Sequence, residues 1–165
     1  MWAVLWTENI PNIFFAAATA ESCSRTRYLL GSEELVTRED LFSFAEVRWG
    51  VQPDFPWPKY PGYAILRHKD SGKWFAAILD VEPRCLGIAQ AVGARSAPRL
   101  DIVNLKCQPP LVTMLLEREG VYPGYHMSRR HWVSIPLAGP FPSEELFELL
   151  ELSWRLTLSK ARQRM

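Results

Sequence analysis

The chain has 165 residues, of which 48% are hydrophobic, and it contains seven tryptophans and eight phenylalanines. That much apolar material is enough for one domain with its own core, so the fold does not require a metal or disulfides. Nineteen basic and eighteen acidic residues give a net charge of +1, which excludes a chain-wide basic surface and requires any polyanion to bind a local patch.

The first segment, residues 1–36, shows no clear helical or strand periodicity. The stretch from Met1 to Ala18 is apolar, but it lacks a basic start and Pro11 interrupts it, so we predict no export signal and a cytoplasmic protein. No apolar run approaches the roughly 18 residues of a membrane span, so we expect no membrane partner. We predict an amino-terminal extension over residues 1–36, either helical or loosely ordered, ahead of a domain over residues 37–162.

The first predicted helix begins after Thr37 and ends before Gly50. Thr37 followed by Asp40 three residues later is typical of a capping box, and Gly50 suits the residue that follows a helix. Residues 53–61 then contain four prolines with aromatic residues between them, a composition that fits neither a helix nor a central strand. This segment is predicted to be a rigid, extended loop.

A β-hairpin is predicted next, with strands over residues 63–68 and 73–81. Residues 69–72 supply the turn, and the glycine at its end can adopt a positive φ. Residues 87–98 are rich in glycine, alanine and serine and predict an irregular connection, after which residues 100–106 regain strand character.

The carboxyl-terminal half contributes two helices and a strand. A helix is predicted from Pro109 to Gly120, a strand over residues 132–137, and a long helix that begins at Ser143. The last helix is expected to end among basic residues, which its dipole favours there, namely Lys160, Arg162 and Arg164. The resulting order indicates an α+β fold in which an antiparallel sheet has its helices packed on one side.

Three motifs follow one another over residues 37–158. The first is GVQPDFPW at 50–57 with YPGYAILRH at 60–68, the second is NLKC at 104–107, and the third is YPGYHMSRRHW at 122–132. Their sequence and order resemble the MmcQ/YjbR family. The resemblance implies a compact α+β fold and a DNA-binding label, because the family fold has been likened to a double-wing arrangement.

The third motif contains the best candidate site. Cations alternate there with aromatic rings, which suits a phosphate backbone and exposed bases. Between Arg84 and Trp132, seven basic residues outnumber three acidic ones, giving a local surplus of four positive charges. The predicted nucleic-acid-binding residues are Lys106, Tyr125, His126, Arg129, Arg130 and His131.

The same residues also permit a purely structural interpretation. Ser128 would then cap a turn, Trp132 would belong to the core, His131 would bond a neighbouring backbone group, and the arginines would be solvated. The loop over residues 53–61, called the proline-aromatic loop below, likewise has two interpretations. Its Trp57 and Tyr60 could either form a binding surface or close one end of the core.

Catalysis and metal binding find little support in the sequence. Cys23, Cys85 and Cys107 are odd in number and form no CxxC pair, which argues against disulfides and structural zinc. Cys107 with His126 or His131 as its base would be a nucleophile, but the sequence places no orienting residue beside them. We therefore predict no enzyme, no cofactor and no metal.

The function predicted from the sequence is a small binding domain that contacts DNA, another nucleic acid or a phosphate-bearing ligand. The alternative is a protein-interaction or housekeeping domain, either monomeric or homodimeric, that uses exposed aromatic side chains. Those side chains would belong to residues 53–61 and to the amino-terminal segment, where they are Trp2, Trp6, Phe14 and Phe15.

Overall fold

The computed structural model of the protein describes residues 35–88 and 98–159. The elements in chain order are α1 (Arg38–Trp49), β1 (Ala64–Arg67), β2 (Trp74–Val81), a short 3₁₀ helix (Pro83–Leu86), β3 (Leu100–Lys106), α2 (Pro109–Leu115), β4 (Tyr122–Pro123), β5 (Trp132–Pro136) and α3 (Ser143–Thr157). The expectations for residues 1–34 and for most of the 87–98 connection fall outside the described residues.

The five strands form one antiparallel sheet in the order β1-β2-β3-β5-β4. Ile78 pairs with Val103, which in turn pairs with Ile135, so these side chains share one face. All three helices pack on this inner face in the larger hydrophobic core. The opposite, outer face has a smaller apolar cluster that includes Ala77 and Ile102. The predicted α+β class, with helices on one side of an antiparallel sheet, is confirmed.

The predicted capping of α1 is also confirmed. The Thr37 hydroxyl accepts a hydrogen bond from the Asp40 backbone N–H at 3.2 Å, and the Asp40 carboxylate accepts one from the Thr37 N–H at 2.9 Å. Gly50 follows the helix with φ of 65°, a left-handed conformation that favours glycine. The inner side of α1 buries Leu41 and Ala45 against the sheet.

Helix α2 ends at Leu115 and not near Gly120, so the predicted end is wrong. Residues 116–119 are exposed and have no apolar side to bury, and packing of an apolar side is what sustains a short helix. The chain instead continues in turns to Gly120, whose φ of 78° lets it change direction.

Helix α3 begins at Ser143 as predicted, with Glu144 and Glu145 in its first turn, but it ends at Thr157. The predicted end among basic residues is therefore wrong, and those residues lie outside the described ranges. Thr157 donates its hydroxyl proton within the last turn and lies 2.8 Å from the ring nitrogen of buried His68. Such side-chain bonds compete with continuation of the helix.

A β-bulge interrupts the pairing of β1 with β2. Leu66 pairs with Ala76 and Arg67 pairs with Trp74, so Phe75 has no partner residue. Phe75 and Ala76 consequently both face the helices, while Trp74 packs against the outer cluster. The bulge thereby moves a tryptophan to the outer face of the sheet.

Both edges of the sheet are short. β1 has four residues. On its free edge, the side away from β2, Asp54 exchanges backbone hydrogen bonds of 3.0 and 2.8 Å with Ile65. β4, at the other edge, has two residues, one of which is Pro123.

Among the described helices, none is long and apolar enough to cross a lipid bilayer.

Candidate functional site

The six predicted binding residues lie around one loop, residues 124–131, which connects β4 to β5. Tyr125, His126, Arg129, Arg130 and His131 belong to this 124–131 loop. Lys106 ends β3 and pairs with Trp132, the first residue after the loop. The fold therefore gathers residues from two separate sequence motifs at the loop and its base.

Backbone hydrogen bonds give the 124–131 loop a defined shape. The Gly124 N–H donates to the carbonyl of Trp132 at 3.0 Å, and the N–H groups of His131 and Trp132 both donate to the carbonyl of Ser128 at 3.0 Å. A Cβ at Gly124 would lie 2.7 Å from the Trp132 Cβ, so this position requires glycine. The turn at Ser128 agrees with the structural interpretation of that residue.

A buried polar network anchors the start of the loop to the outer face. The Asn104 amide donates to the carbonyl of Tyr125 at 2.9 Å, and the Asn104 side-chain oxygen accepts from the Ser134 hydroxyl at 2.6 Å. The Ser134 oxygen also accepts from the Tyr125 N–H at 2.8 Å. Both polar side chains are almost fully buried, so these bonds strongly favour one position of Tyr125.

His126 has φ of 55° and is the one residue other than glycine with positive φ among those the structure describes. This conformation is uncommon for a residue with a side chain and is most often seen at turns and functional sites. The imidazole is exposed and its ring centre lies 4.1 Å from that of Tyr125. The backbone thus holds the exposed imidazole of His126 against the half-buried ring of Tyr125 at the beginning of the loop.

Beside this ring pair, the outer face has an aromatic pocket of about 520 Å³. Its base is made by small and aliphatic side chains of β2, namely Ala77, Leu79 and Val81. Its aromatic residues come from four places in the sequence and are Trp57, Tyr60, Tyr63, Trp74 and Tyr125. His126 and Met127 also line it, so the pocket and the 124–131 loop adjoin each other.

The proline-aromatic loop contributes both to the packing of the outer face and to the lining of the pocket. Trp57 packs against the outer cluster, whereas Tyr60 is 53% exposed and lines the pocket. Tyr63 and Trp74 were not among the predicted site residues. Trp2, Trp6, Phe14 and Phe15, the other proposed interaction residues, lie outside the described part of the chain.

The charged groups in and beside the pocket are paired. The Arg99 guanidinium donates to the Asp80 carboxylate at 2.6 Å and also to the Asp80 backbone carbonyl. Glu82 forms an ion pair with Arg84 at 2.5 Å.

Burial, with the nearby Asp80 carboxylate, raises the pKa of Tyr63. Burial and a hydrogen bond with the Cys85 thiol raise the pKa of Tyr125 to about 12.

Tyr125 is accordingly expected to ionise near pH 12, compared with 10.0 for an ordinary tyrosine. The unfolded chain loses this proton first, so the Tyr125 contribution to stability is complete below pH of about 10 and is lost as pH rises through the folded pKa. Tyrosinate absorbance, compared between wild type and Tyr125→Phe, measures the pKa. Cys85→Ala should lower it, and an ordinary pKa in the wild type would contradict the described surroundings of Tyr125.

Cys107 does not meet the requirements of the nucleophile hypothesis. Its side chain is 1% exposed, and burial raises its pKa to about 12. A thiol in that environment is protonated at neutral pH and cannot be reached by a substrate. Within residues 35–88 and 98–159, no three histidine, cysteine or carboxylate side chains are grouped to hold a metal.

The architecture is that of a small α+β domain with helices on one side of its sheet and an open aromatic pocket on the other. The YjbR family model matches residues 49–156, and the chain belongs to this family. The resemblance identified from the three motifs is therefore confirmed.

Relatives and solved structures agree with this assignment. The chain is 42% identical to uncharacterized protein YyaQ of Bacillus subtilis over 123 residues, covering 74% of this chain and 99% of the relative. It is 28% identical to uncharacterized protein YjbR of Escherichia coli, covering 58% and 75%. A crystal structure of a Pseudomonas syringae protein is 36% identical and covers 74% of this chain and all of the other, with a TM-score of 0.69. A Deinococcus radiodurans protein, 24% identical over 79% of this chain and 87% of its own with a TM-score of 0.57, shows the same fold.

Proposed function

We propose that the protein is a nucleic-acid-binding module, DNA included, that contacts the phosphate backbone through the 124–131 loop. The observation that carries this proposal concerns the ion pairing of two exposed arginines, Arg129 and Arg130. Neither has a carboxylate partner within residues 35–88 and 98–159. Every other arginine in those ranges forms an ion pair with a carboxylate, namely Arg38, Arg48, Arg67, Arg84, Arg99, Arg118 and Arg155.

The sequence around the loop strengthens its positive character. The chain contains no acidic residue between Glu119 and Glu144, so no neighbour along this segment neutralises the two guanidinium groups. Half-buried Lys106 adds a cation at the base of the loop, opposite Trp132. Cations left free of carboxylates are available to replace the counterions of a phosphate backbone.

A binding role is also compatible with Cys107, His126 and His131, the residues considered for catalysis from the sequence. Hydrogen bonds and packing hold the pocket and the loop, and Cys107, the cysteine considered as a nucleophile, is buried. We therefore propose that the domain acts by binding and not by catalysing a reaction. Contacts to phosphates do not read base identity, so the expected binding is tolerant of sequence and falls steeply with salt.

The double substitution Arg129→Ala with Arg130→Ala is expected to weaken binding of a short oligonucleotide about tenfold or more at low salt. It should also reduce the slope of log affinity against log salt by about two, because each phosphate contact contributes about one. Fluorescence anisotropy of a labelled oligonucleotide, titrated at several salt concentrations, measures both quantities.

The matched control is Arg48→Ala with Arg155→Ala, which removes the same charge from α1 and α3 on the other side of the sheet. Both of these arginines pair with Glu151, so their removal should leave binding nearly unchanged. Equal losses in the two double variants would show that net charge alone governs binding, and that result would contradict the proposed loop contact.

A further inference from the structure

The aromatic pocket has no role in a contact made by arginines alone. The ring of Trp57 stands nearly perpendicular to those of Tyr63 and Trp74, at interplanar angles of 86° and 90° and ring-centre distances of 6.1 and 5.6 Å. Tyr60 stacks on Tyr63 with ring centres 4.9 Å apart. These rings meet above the apolar surface of β2, where an incoming flat molecule could contact several of them at once.

The pocket has the dimensions of a site for a small molecule. Its volume of about 520 Å³ lies inside the range of roughly 300–1,000 Å³ that is usual for ligand pockets. Tyr60, Trp57, Tyr63 and Trp74 remain at least partly accessible, although they are large rings that proteins usually cover. A ring-shaped ligand would therefore gain contact area without any rearrangement of the core.

The charges of the pocket argue against an anion inside it. Among the described residues, Arg99 is the one lysine or arginine that lines the pocket, and its guanidinium donates to both the carboxylate and the backbone carbonyl of Asp80. Glu82, which also lines the pocket, adds a carboxylate. The one lining cation is thus already paired with a carboxylate, so a phosphate would gain less here than at the unpaired arginines of the loop, whereas an uncharged planar ring avoids the cost of burying a charge.

We propose that this pocket receives an unpaired base of a single-stranded nucleic acid while the adjoining 124–131 loop holds the phosphates. This inference rests on the proposed function. Tyr125 and His126 line the pocket and also begin the loop, so one strand can reach both places. Bases stack on aromatic side chains whatever their identity, but bases in a duplex must first be unpaired and unstacked before they can enter. The domain should consequently distinguish single strands from duplexes through Tyr60 and its neighbours.

The test uses Tyr60→Ala, because Tyr60 is the exposed one among the tyrosine and tryptophan rings of the pocket and its loss should spare the fold. Binding is measured for three labelled probes: a short single strand, the matching duplex and an inorganic polyphosphate. Tyr60→Ala is expected to weaken single-strand binding about tenfold and to leave duplex and polyphosphate binding unchanged.

The control is Phe55→Ala, which removes a ring of similar exposure from the same proline-aromatic loop. Phe55 is 50% exposed and contacts Phe42 of α1, and it does not line the pocket. Phe55→Ala should leave the binding of all three probes unchanged, and thermal unfolding checks that both variants are folded.

The outcomes separate the two proposals. Unchanged single-strand binding by Tyr60→Ala, or equal weakening of all three probes, would overturn the base pocket and leave the loop proposal standing if the arginine variants still lose affinity. A wild-type protein that binds none of the probes at low salt would overturn the proposed function, and the base pocket with it.

Discussion

Phe75→Ala is expected to lower the free energy of unfolding by about 3–5 kcal/mol, the usual loss when a fully buried phenylalanine is truncated. The Phe75 side chain is 0% exposed and lies edge-on to Trp49, with ring centres 5.3 Å apart, and beside His68 at 5.2 Å. Trp49 itself stacks on Trp154 of α3 at 5.1 Å. Removal of Phe75 would leave a cavity where α1, α3 and the sheet meet.

Urea denaturation followed by tryptophan fluorescence measures this loss. Phe75→Leu keeps most of the buried volume and should be clearly more stable than Phe75→Ala, which also protects the test if the alanine variant does not fold. Phe55→Ala is the exposed control and should change stability by less than about 1 kcal/mol. A Phe75→Ala variant as stable as the Phe55→Ala control would contradict the packing described for the bulge.

The second large effect is expected from Asn104→Ala, which should lower the free energy of unfolding by about 2–3 kcal/mol. The substitution leaves the part-buried carbonyl of Tyr125 without its donor and the buried Ser134 hydroxyl without one of its acceptors. It should also weaken single-strand binding, because Tyr125 and His126 are no longer held beside the pocket.

A double-mutant cycle with Ser134→Ala separates the network from simple loss of side-chain volume. Because Asn104 and Ser134 are bonded to each other, the stability loss of the double variant should be smaller than the sum of the two single losses by at least about 0.5 kcal/mol. Additive losses would show that the two residues act independently, which would contradict a shared role in positioning Tyr125.

The sequence predicted the elements better than their ends. Local signals set the start of α1, since a capping box and a left-handed glycine act within a few residues. The ends of α2 and α3 depend on distant contacts: the exposed turns after Leu115 have nothing to pack against, and Thr157 bonds to His68 from the β1 end of the sheet. Such contacts are not visible in a local pattern.

The candidate site divides in the same way. The cations and rings of residues 122–132 stand together in the sequence, and their clustering could be predicted from that motif. The pocket could not, because strict alternation along β2 would place Trp74 on the same face as Ala76. Only the bulge at Phe75 turns Trp74 outward to join Trp57 and Tyr63. The ion pairs of the seven other described arginines could not be predicted either, because most of their carboxylate partners are distant in the sequence.

The short edge strands of the sheet bear on self-association. A long, exposed edge strand offers unpaired backbone groups to a second molecule and is a common route to fibrils and strand-swapped oligomers. Here Asp54 occupies the free side of β1, and Pro123 removes a donor from the two-residue β4. The described edges therefore offer few unpaired backbone groups for growth of the sheet from one molecule into the next, which favours side-chain surfaces for any homodimer built on this part of the chain.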